Sequence, residues 1–414
     1  MISQIKGTQL TGSSGETYFM GDLLSTGGQG ALYLALSGKG QAVAVKLFRQ
    51  QFHTDATRRR LAFLHSLRLD QLSDVLCAPL DIVDSGGCLG HVTPFCEGDS
   101  ITTLIDSGTL AFQEGISVAI ALTHAVAVCH ENGLTHGDLH NNNALVACHD
   151  GYHALKLIDI DNFSIAGVDP SPMLGHPDFL APELRQRSGR PDVYSDRFSL
   201  AVMLHELLLR KSPCSGYDDT REQFVQSMHA GYWLLDPSRE TGKVRNVEGY
   251  DVRVLNAKLQ SLFRRGLSSD RDTRPSALEW RDSLQRALSE VYVCPHCGAP
   301  DLGDSGKRSC SMCGGAYRVL ALSGNFGKIP LRRATMVLTR QLLGNDATVS
   351  ARHARIRRIS SEYHLEDMST NGTYRWENHS WTRLSTVELQ NSTAVLDLGD
   401  RLRFGTVEAE VTHE

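Results

Sequence analysis

The sequence predicts an α+β multidomain chain: a two-lobed domain, a small four-cysteine metal module and a terminal all-β sandwich. Three observations carry this. First, residues 18–115 read as short apolar strands with Gly-rich turns such as 26-TGGQG-30 and 85-SGG-87, whereas residues 116–290 read as helical. In 196-DRFSLAVMLHELLLR-210, Phe198, Ala201, Leu204 and Leu208 recur at helical spacing on one face. Strands and helices in separate blocks imply two lobes rather than a doubly wound sheet. Second, four cysteines pair as 294-CPHC-297 and 310-CSMC-313. Third, alternating strands return after Tyr317, as in 352-RHARIRRI-359 and 363-YHLED-367, broken by Asn-Gly and Gly-Asp turns.

A length of 414 residues accommodates two or three such domains. With 41% hydrophobic and 21% charged residues the composition is that of an ordinary globular protein, and a net charge of −5 exerts no pull toward nucleic acid or an anionic membrane. No continuous apolar run reaches the roughly 18 residues of a membrane span, and 1-MISQIKGTQLTGSSGE-16 lacks the apolar core of a secretory signal. Six of the ten cysteines (Cys77, Cys88, Cys96, Cys129, Cys148 and Cys214) are scattered, mostly among apolar residues, and read as buried free thiols. The expectation is a cytoplasmic protein with neither a nucleic-acid nor a membrane partner.

Taken in order, residues 1–17 read as a polar, flexible tail offering Thr8 and Thr11. A Gly-rich hairpin, 24-LSTGGQGALYLA-35, follows; its glycines let backbone amides approach phosphate oxygens. In 42-AVAVKLF-48, period two sets Val43, Val45 and Leu47 on one face and Lys46 beside two small alanines on the other. That leaves room for an adenine and brings an ammonium toward phosphates. The turn 134-LTHGDLHNNNALV-146 then supplies Asp138 and Asn143, and 155-LKLIDIDNF-163 ends a strand in Asp159 and Asp161. Phosphoryl transfer needs an aspartate to orient the attacking hydroxyl, and an Asn and a further Asp to hold Mg²⁺ against the phosphates.

This order (Gly loop, Lys, H-x-D-x-x-x-x-N, strand, Asp, then 181-APE-183) resembles the eukaryotic-like (Hanks-type) Ser/Thr protein kinase family over residues 18–290. The resemblance implies ATP and Mg²⁺ as cofactors and proteins as substrates. Ser25, Gly27 and Gly30 would fill the three glycine positions of the phosphate loop, with Gly28 between them. Lys46 would bind phosphate, Asp138 would be the catalytic base, Asn143 a Mg²⁺ ligand, and Asp159 or Asp161 the second. Glu183 would pair with Arg274 of 272-DTRP-275, and Asp196 would bond back to the catalytic loop.

Departures refine the reading. No glutamate lies between Leu47 and Cys96, so the family's helical acid opposite the lysine is absent, and 56-ATRRRLAFLHSL-67 offers arginines instead. Gly137 stands where the family has arginine. The segment 162–182 contains no threonine and offers only Ser164 and Ser171, which argues against a loop-phosphorylation switch. An inactive scaffold kinase is the alternative. HGDLH also resembles small-molecule kinases of the aminoglycoside and choline type.

The spacing C-x₂-C-x₁₂-C-x₂-C predicts a structural Zn²⁺ held by Cys294, Cys297, Cys310 and Cys313 at residues 291–315, with His296 not a ligand. In residues 316–414, 339-TR-340, 349-VSARH-353, 367-DMSTNGTY-374 and 398-LGDRLRFG-405 resemble the forkhead-associated (FHA) domain. That likeness implies phosphothreonine binding: Arg340 and Ser350 on the phosphate, Thr370 on the phosphothreonine and Asn371 on the ligand backbone. The family's glycine before the arginine is Thr339 here. The ligand would be a partner protein or a phosphorylated segment of this chain.

Overall fold

The computed structural model describes residues 5–149, 152–165, 175–185, 189–213, 233, 235–236, 249–302, 309–317, 319–333, 335–359, 362–384 and 394–414. Ser171 and Cys214 lie outside these. The chain divides into two compact units, residues 1–249 with 261–282, and residues 250–260 with 283–414.

The first unit opens on an antiparallel sheet of six strands in the order β1-β2-β3-β4-β6-β5: β1 (Gln9–Thr11), β2 (Thr17–Thr26), β3 (Gly30–Ser37), β4 (Ala42–Phe48), β5 (Asp81–Ser85) and β6 (Cys88–Pro94). Tyr33, Ala35, Val43, Val45, Val83 and Val92 form its core, as alternation along β3 and β4 requires. Two helices sit between β4 and β5 in sequence. They are α1 (Asp55–Ser66), whose first turn is capped by Thr54, and α2 (Leu69–Leu72).

Residues 9–11 correct the expectation of a flexible tail. β1 pairs with β2, and Ile5 and Leu10 pack against the sheet core. The turn that follows is fixed by one buried carboxylate. Asp81 accepts hydrogen bonds from Ser13 Oγ (2.8 Å), the Ser14 amide (3.1 Å) and Tyr18 Oη (2.9 Å). A long-range partner, invisible to local composition, converts a polar Ser-Gly stretch into an ordered edge.

Helices then dominate: α3 (Ile101–Asp106), α4 (Phe112–Glu131), α5 (Pro182–Arg185) and α6 (Val193–Leu209), with β7 (Asp99–Ser100), β8 (Leu134–Thr135), β9 (Ala144–His149), β10 (Tyr152–Leu157) and β11 (Ser164–Ile165) threaded between them. α4 is long and apolar enough to cross a bilayer, although its sequence holds no unbroken apolar run. Ile116, Ala119, Leu122 and Val126 are buried, so it is the core helix of this unit. The register of β9 on β10 sets Ala144 opposite Leu157, bringing the end of the catalytic-type turn beside the acidic strand end.

Helices α7 (Ala257–Gly266) and α8 (Ala277–Leu288) follow in sequence. The second unit holds the hairpin β12 (Val291–Val293) and β13 (Pro300–Leu302), then two sheets. One is ordered β15-β14-β23-β22-β19-β20, from β14 (Leu320–Gly324), β15 (Gly327–Pro330), β19 (Thr373–Glu377), β20 (Ser380–Arg383), β22 (Arg401–Phe404) and β23 (Val407–His413). The other is ordered β16-β17-β18-β21, from β16 (Thr335–Leu338), β17 (Ala354–Ile359), β18 (Glu362–Asp367) and β21 (Ala394–Leu396). Leu322, Leu338, Ile356, Leu365, Leu402, Phe404 and Val411 fill the space between them. The four-cysteine segment is read from sequence as a separate domain, yet it belongs to the same compact unit as the sandwich. Arg358 of β17 donates to the Val291 carbonyl at 2.8 Å, and its guanidinium covers the Tyr292 ring at 4.4 Å.

Candidate functional site

The Gly loop joins β2 to β3. The Gly27 amide donates to the Gly30 carbonyl at 2.8 Å, and Arg49 Nη2 holds the Gly27 carbonyl at 3.0 Å. A Cβ on Gly30 would collide with the Leu47 carbonyl, so only glycine lets β3 lie this close to β4. Gly27 and Gly28 have open space around them, as a loop that receives a ligand needs. Ser25 sits in the strand opposite Leu32.

β4 brings Lys46 Nζ against two carboxylates, Asp159 Oδ1 and Asp161 Oδ2, the latter at 2.6 Å. Asp159 adopts a left-handed backbone (φ 56°), a strained conformation that turns its side chain off the strand axis toward the lysine. Burial and the neighbouring Asp161 push the Asp159 carboxyl up to about 7. Burial would also raise Asp161, but Lys46 and His91 more than offset it and hold it below the usual carboxylate range. Two carboxylates on one ammonium gather hard oxygen donors, which suit a divalent cation. Mg²⁺ takes oxygen ligands, and this donor set fits it.

The catalytic-type turn is held from below by Asp196 of α6, which accepts from the His136 amide (2.7 Å) and the Gly137 amide (3.0 Å). Asn143 Nδ2 donates to the Asp138 carbonyl at 3.0 Å, fixing the five-residue span between them. The Asp138 carboxylate accepts from the His176 amide at 2.8 Å and from Asn162 Nδ2 at 3.4 Å. Gly175, at φ +89°, lets that segment approach, since a Cβ there would lie 2.9 Å from the Gly137 carbonyl. His140 packs against His176 with the rings tilted and their centroids 5.0 Å apart, and burial pushes its imidazole down to about 4, leaving it uncharged near neutrality.

Sequence reasoning missed Arg60, His91, Asn162 and His176. Arg60 was visible only as a departure, one of three arginines where an acid belongs. The other three carry no motif; only the fold brings them beside Lys46 and Asp138.

In the second unit all four Sγ atoms of Cys294, Cys297, Cys310 and Cys313 lie within 4.8 Å of one another, with 3.7 Å between Cys294 and Cys313 and 3.8 Å between Cys297 and Cys310. A tetrahedron with Zn–S bonds of about 2.3 Å has edges of about 3.8 Å, so the thiols fit zinc with no open position. The amides of His296, Met312 and Gly315 donate to Cys294, Cys310 and Cys313 Sγ, the turn geometry that tight thiolate pairs need. The His296 ring contacts the Ala316 carbonyl at 3.3 Å, and the four-sulfur cluster does not include it.

The loops at one end of the sandwich carry the remaining residues. Ser350 Oγ accepts from the Thr370 amide at 3.2 Å, Asn371 Nδ2 donates to the Thr348 carbonyl at 2.8 Å, and Arg340 Nε donates to the Val349 carbonyl at 2.6 Å. Buried His353 braces them, taking the Ser350 amide on Nδ1 (2.9 Å) and meeting the Gly372 carbonyl at Nε2 (3.2 Å). Arg340 is an exposed residue tied to Val349, next in sequence to Ser350, and an arginine with a hydroxyl and an amide makes a donor set suited to a phosphate.

A protein kinase domain family model matches residues 18–286, and an FHA domain model matches residues 326–405. Over 291 residues the chain is 27% identical to serine/threonine-protein kinase pkn2 of Myxococcus xanthus, covering 67% of this chain and 33% of that protein. It is 25% identical over 347 residues to serine/threonine-protein kinase PknB of Mycobacterium leprae (79% of this chain, 50% of that protein). It is 24% identical over 301 residues to serine/threonine-protein kinase PksC of Streptomyces coelicolor (68% and 51%). The chain thus spans between a third and a half of the length of these relatives.

Proposed function

Because this chain belongs to the protein kinase family, we propose that it transfers the γ-phosphate of ATP to serine or threonine hydroxyls of proteins, itself included, and that its FHA module reads phosphothreonine. One observation carries the first half: Lys46, Asp159 and Asp161 converge within hydrogen-bond reach while Asn143 fixes the Asp138 loop. In this reading the loop Ser25–Gly30 covers the phosphates with backbone amides, and Lys46 orients them. Asp138 accepts the hydroxyl proton, and Asn143 and Asp159 hold Mg²⁺. Bound Mg²⁺ neutralises charge developing on the transferred phosphoryl group. The Glu183–Arg274 pair, which anchors the segment next to Asp138, favours a protein over a small-molecule substrate.

Zinc in the four-cysteine module is structural, and it rigidifies the hairpin on which Arg358 of the sandwich rests. Four thiolate ligands and the free cysteines support a reducing, cytoplasmic setting. Phosphothreonine made by the first unit, on a partner or on this chain, supplies the ligand of the second. Tethering raises its effective concentration. Thr8 and Thr11 remain exposed candidates, although they lie along the ordered β1 edge.

The test is incubation of the full chain with ATP and Mg²⁺ followed by phosphosite mapping, with Lys46→Ala alongside. Phosphoserine or phosphothreonine that requires Lys46 supports the reading. ATP binding with no transfer, to itself or to generic protein acceptors, would leave only a phosphothreonine-binding scaffold.

A further inference from the structure

Helix α1 has no acid to offer Lys46. No glutamate occurs between Leu47 and Cys96, and the acid of α1, Asp55, is exposed and 3.5 Å from Arg58 on its own helix. A kinase lysine needs a fixed acidic partner so that its ammonium points at phosphate. If Asp159 alone played that part, it would have to serve lysine and metal at once.

The two carboxylates on Lys46 are not equivalent. The Asp159 side chain keeps 31% of its surface exposed, whereas Asp161 keeps 5%. Mg²⁺ binds with several of its waters and dehydrates reluctantly, so it needs the reachable carboxylate. Asp161 lies deeper, with Lys46 on Oδ2 at 2.6 Å and His91 Nε2 3.9 Å from Oδ1. His91 is the cross-strand neighbour of Lys46, and it too is buried. Water is thereby kept from the lysine side of this acid.

α1 is nevertheless tied to the same place. Arg60 Nε donates to the Asp161 carbonyl at 2.5 Å, and Arg60 Nη2 donates to the Phe163 carbonyl. The helix therefore gives a cation to the backbone of the acidic segment, where the family pattern has a helical carboxylate given to the lysine. Displacing α1 displaces the carbonyls on either side of Asn162, and with them the acid on Lys46.

We propose that Asp161 is the standing acidic partner of Lys46, and that Arg60 is a positioning residue linking α1 to it, which frees Asp159 for the metal. This rests on the kinase reading of the same site. It makes the missing glutamate a relocation of the acid from helix to loop.

The experiment is equilibrium binding of a fluorescent ATP analogue to the full chain across a Mg²⁺ titration. The variants are Lys46→Ala, Asp159→Asn, Asp161→Asn, Arg60→Gln and the double variant Lys46→Ala/Asp161→Asn. Losing a charge-assisted contact predicts weaker nucleotide binding on the order of tenfold for Lys46→Ala and Asp161→Asn, with the Mg²⁺ requirement unchanged. The double variant should be no worse than either single change, because both remove one interaction. Asp159→Asn should instead raise the Mg²⁺ concentration needed. Asp161 is deeply buried, so Arg60→Gln provides a second reading: it too should weaken nucleotide binding without moving the Mg²⁺ midpoint. A shifted Mg²⁺ midpoint for Asp161→Asn, additive losses in the double variant, or unchanged binding in Arg60→Gln would each overturn the assignment. Normal coupling in this assay, with no phosphate transfer by the wild type, would instead defeat the kinase reading and leave the assignment standing.

Discussion

Arg274 grips Glu183 through two parallel hydrogen bonds, Nη1 to Oε1 and Nη2 to Oε2, each 2.8 Å long. The guanidinium side chain has no exposed surface, and it also donates to the Tyr194 carbonyl at 2.9 Å and the Ser268 carbonyl at 3.1 Å. One cation thus pins the end of the segment beside Asp138 to the start of α6 and to the loop after α7.

Breaking that pair strands a buried charge. Glu183→Ala should cost about 3–5 kcal/mol of stability. Arg274→Lys should recover little of what Arg274→Ala loses, because an ammonium cannot reproduce the planar fork. Urea denaturation followed by tryptophan fluorescence checks both, and a Lys variant as stable as the wild type would refute the bidentate role.

His205 is one of several buried imidazoles that should shape the pH dependence of the first unit. His205 meets the Lys211 carbonyl at Nδ1 (2.8 Å) and accepts from Trp233 Nε1 at Nε2 (3.0 Å), so both nitrogens are engaged in the neutral form. Burial pushes its pKa down to about 3. The unfolded chain takes up this proton near pH 6.5 and the folded chain only near 3. The contribution to stability is therefore full above about 6.5 and declines as pH falls, by at most about 1.4 kcal/mol per pH unit. His205→Gln should flatten the slope of unfolding free energy between pH 5 and 7 relative to the wild type, as measured by urea titration.

Metal removal should act on the second unit. Chelation, or Cys310→Ser, should release about one equivalent of zinc, read by a colorimetric indicator, and lower the melting temperature of that unit. Activity of the first unit on ATP should survive if the metal is structural.

Peptide recognition should depend on charge at the sandwich end. Arg340→Ala should weaken binding of a phosphothreonine peptide on the order of tenfold or more, with Asn371→Ala also weakening it. The unphosphorylated peptide should bind neither form detectably. Fluorescence anisotropy separates these outcomes.

Much of this was legible in sequence because the chemistry is local. The Asp138–Asn143 spacing, the CxxC pairs and the period-two strand around Lys46 each specify a position without any need for the fold. What could not be read depended on long-range partners. Asp81 orders the N-terminal turn through Ser13, Ser14 and Tyr18 from more than sixty residues away. Arg60 looked like the loss of a carboxylate because its partners are carbonyls, which carry no side-chain signature. The proposed division of roles between Asp159 and Asp161 rests on their exposure, which two acids spaced by one residue near a strand end cannot reveal.

Phosphoryl transfer assisted by Asp138 is the proposed chemistry of the first unit. Its most direct test is the rate at which the purified full chain places phosphate on itself or on a generic protein acceptor from ATP·Mg²⁺, compared with Asp138→Asn at matched nucleotide occupancy. Measurable transfer by the wild type is expected, with a fall of about 10²–10⁴-fold in the variant and nucleotide binding intact. Equal rates in the two proteins, or no transfer by a wild type that binds ATP·Mg²⁺, would contradict it.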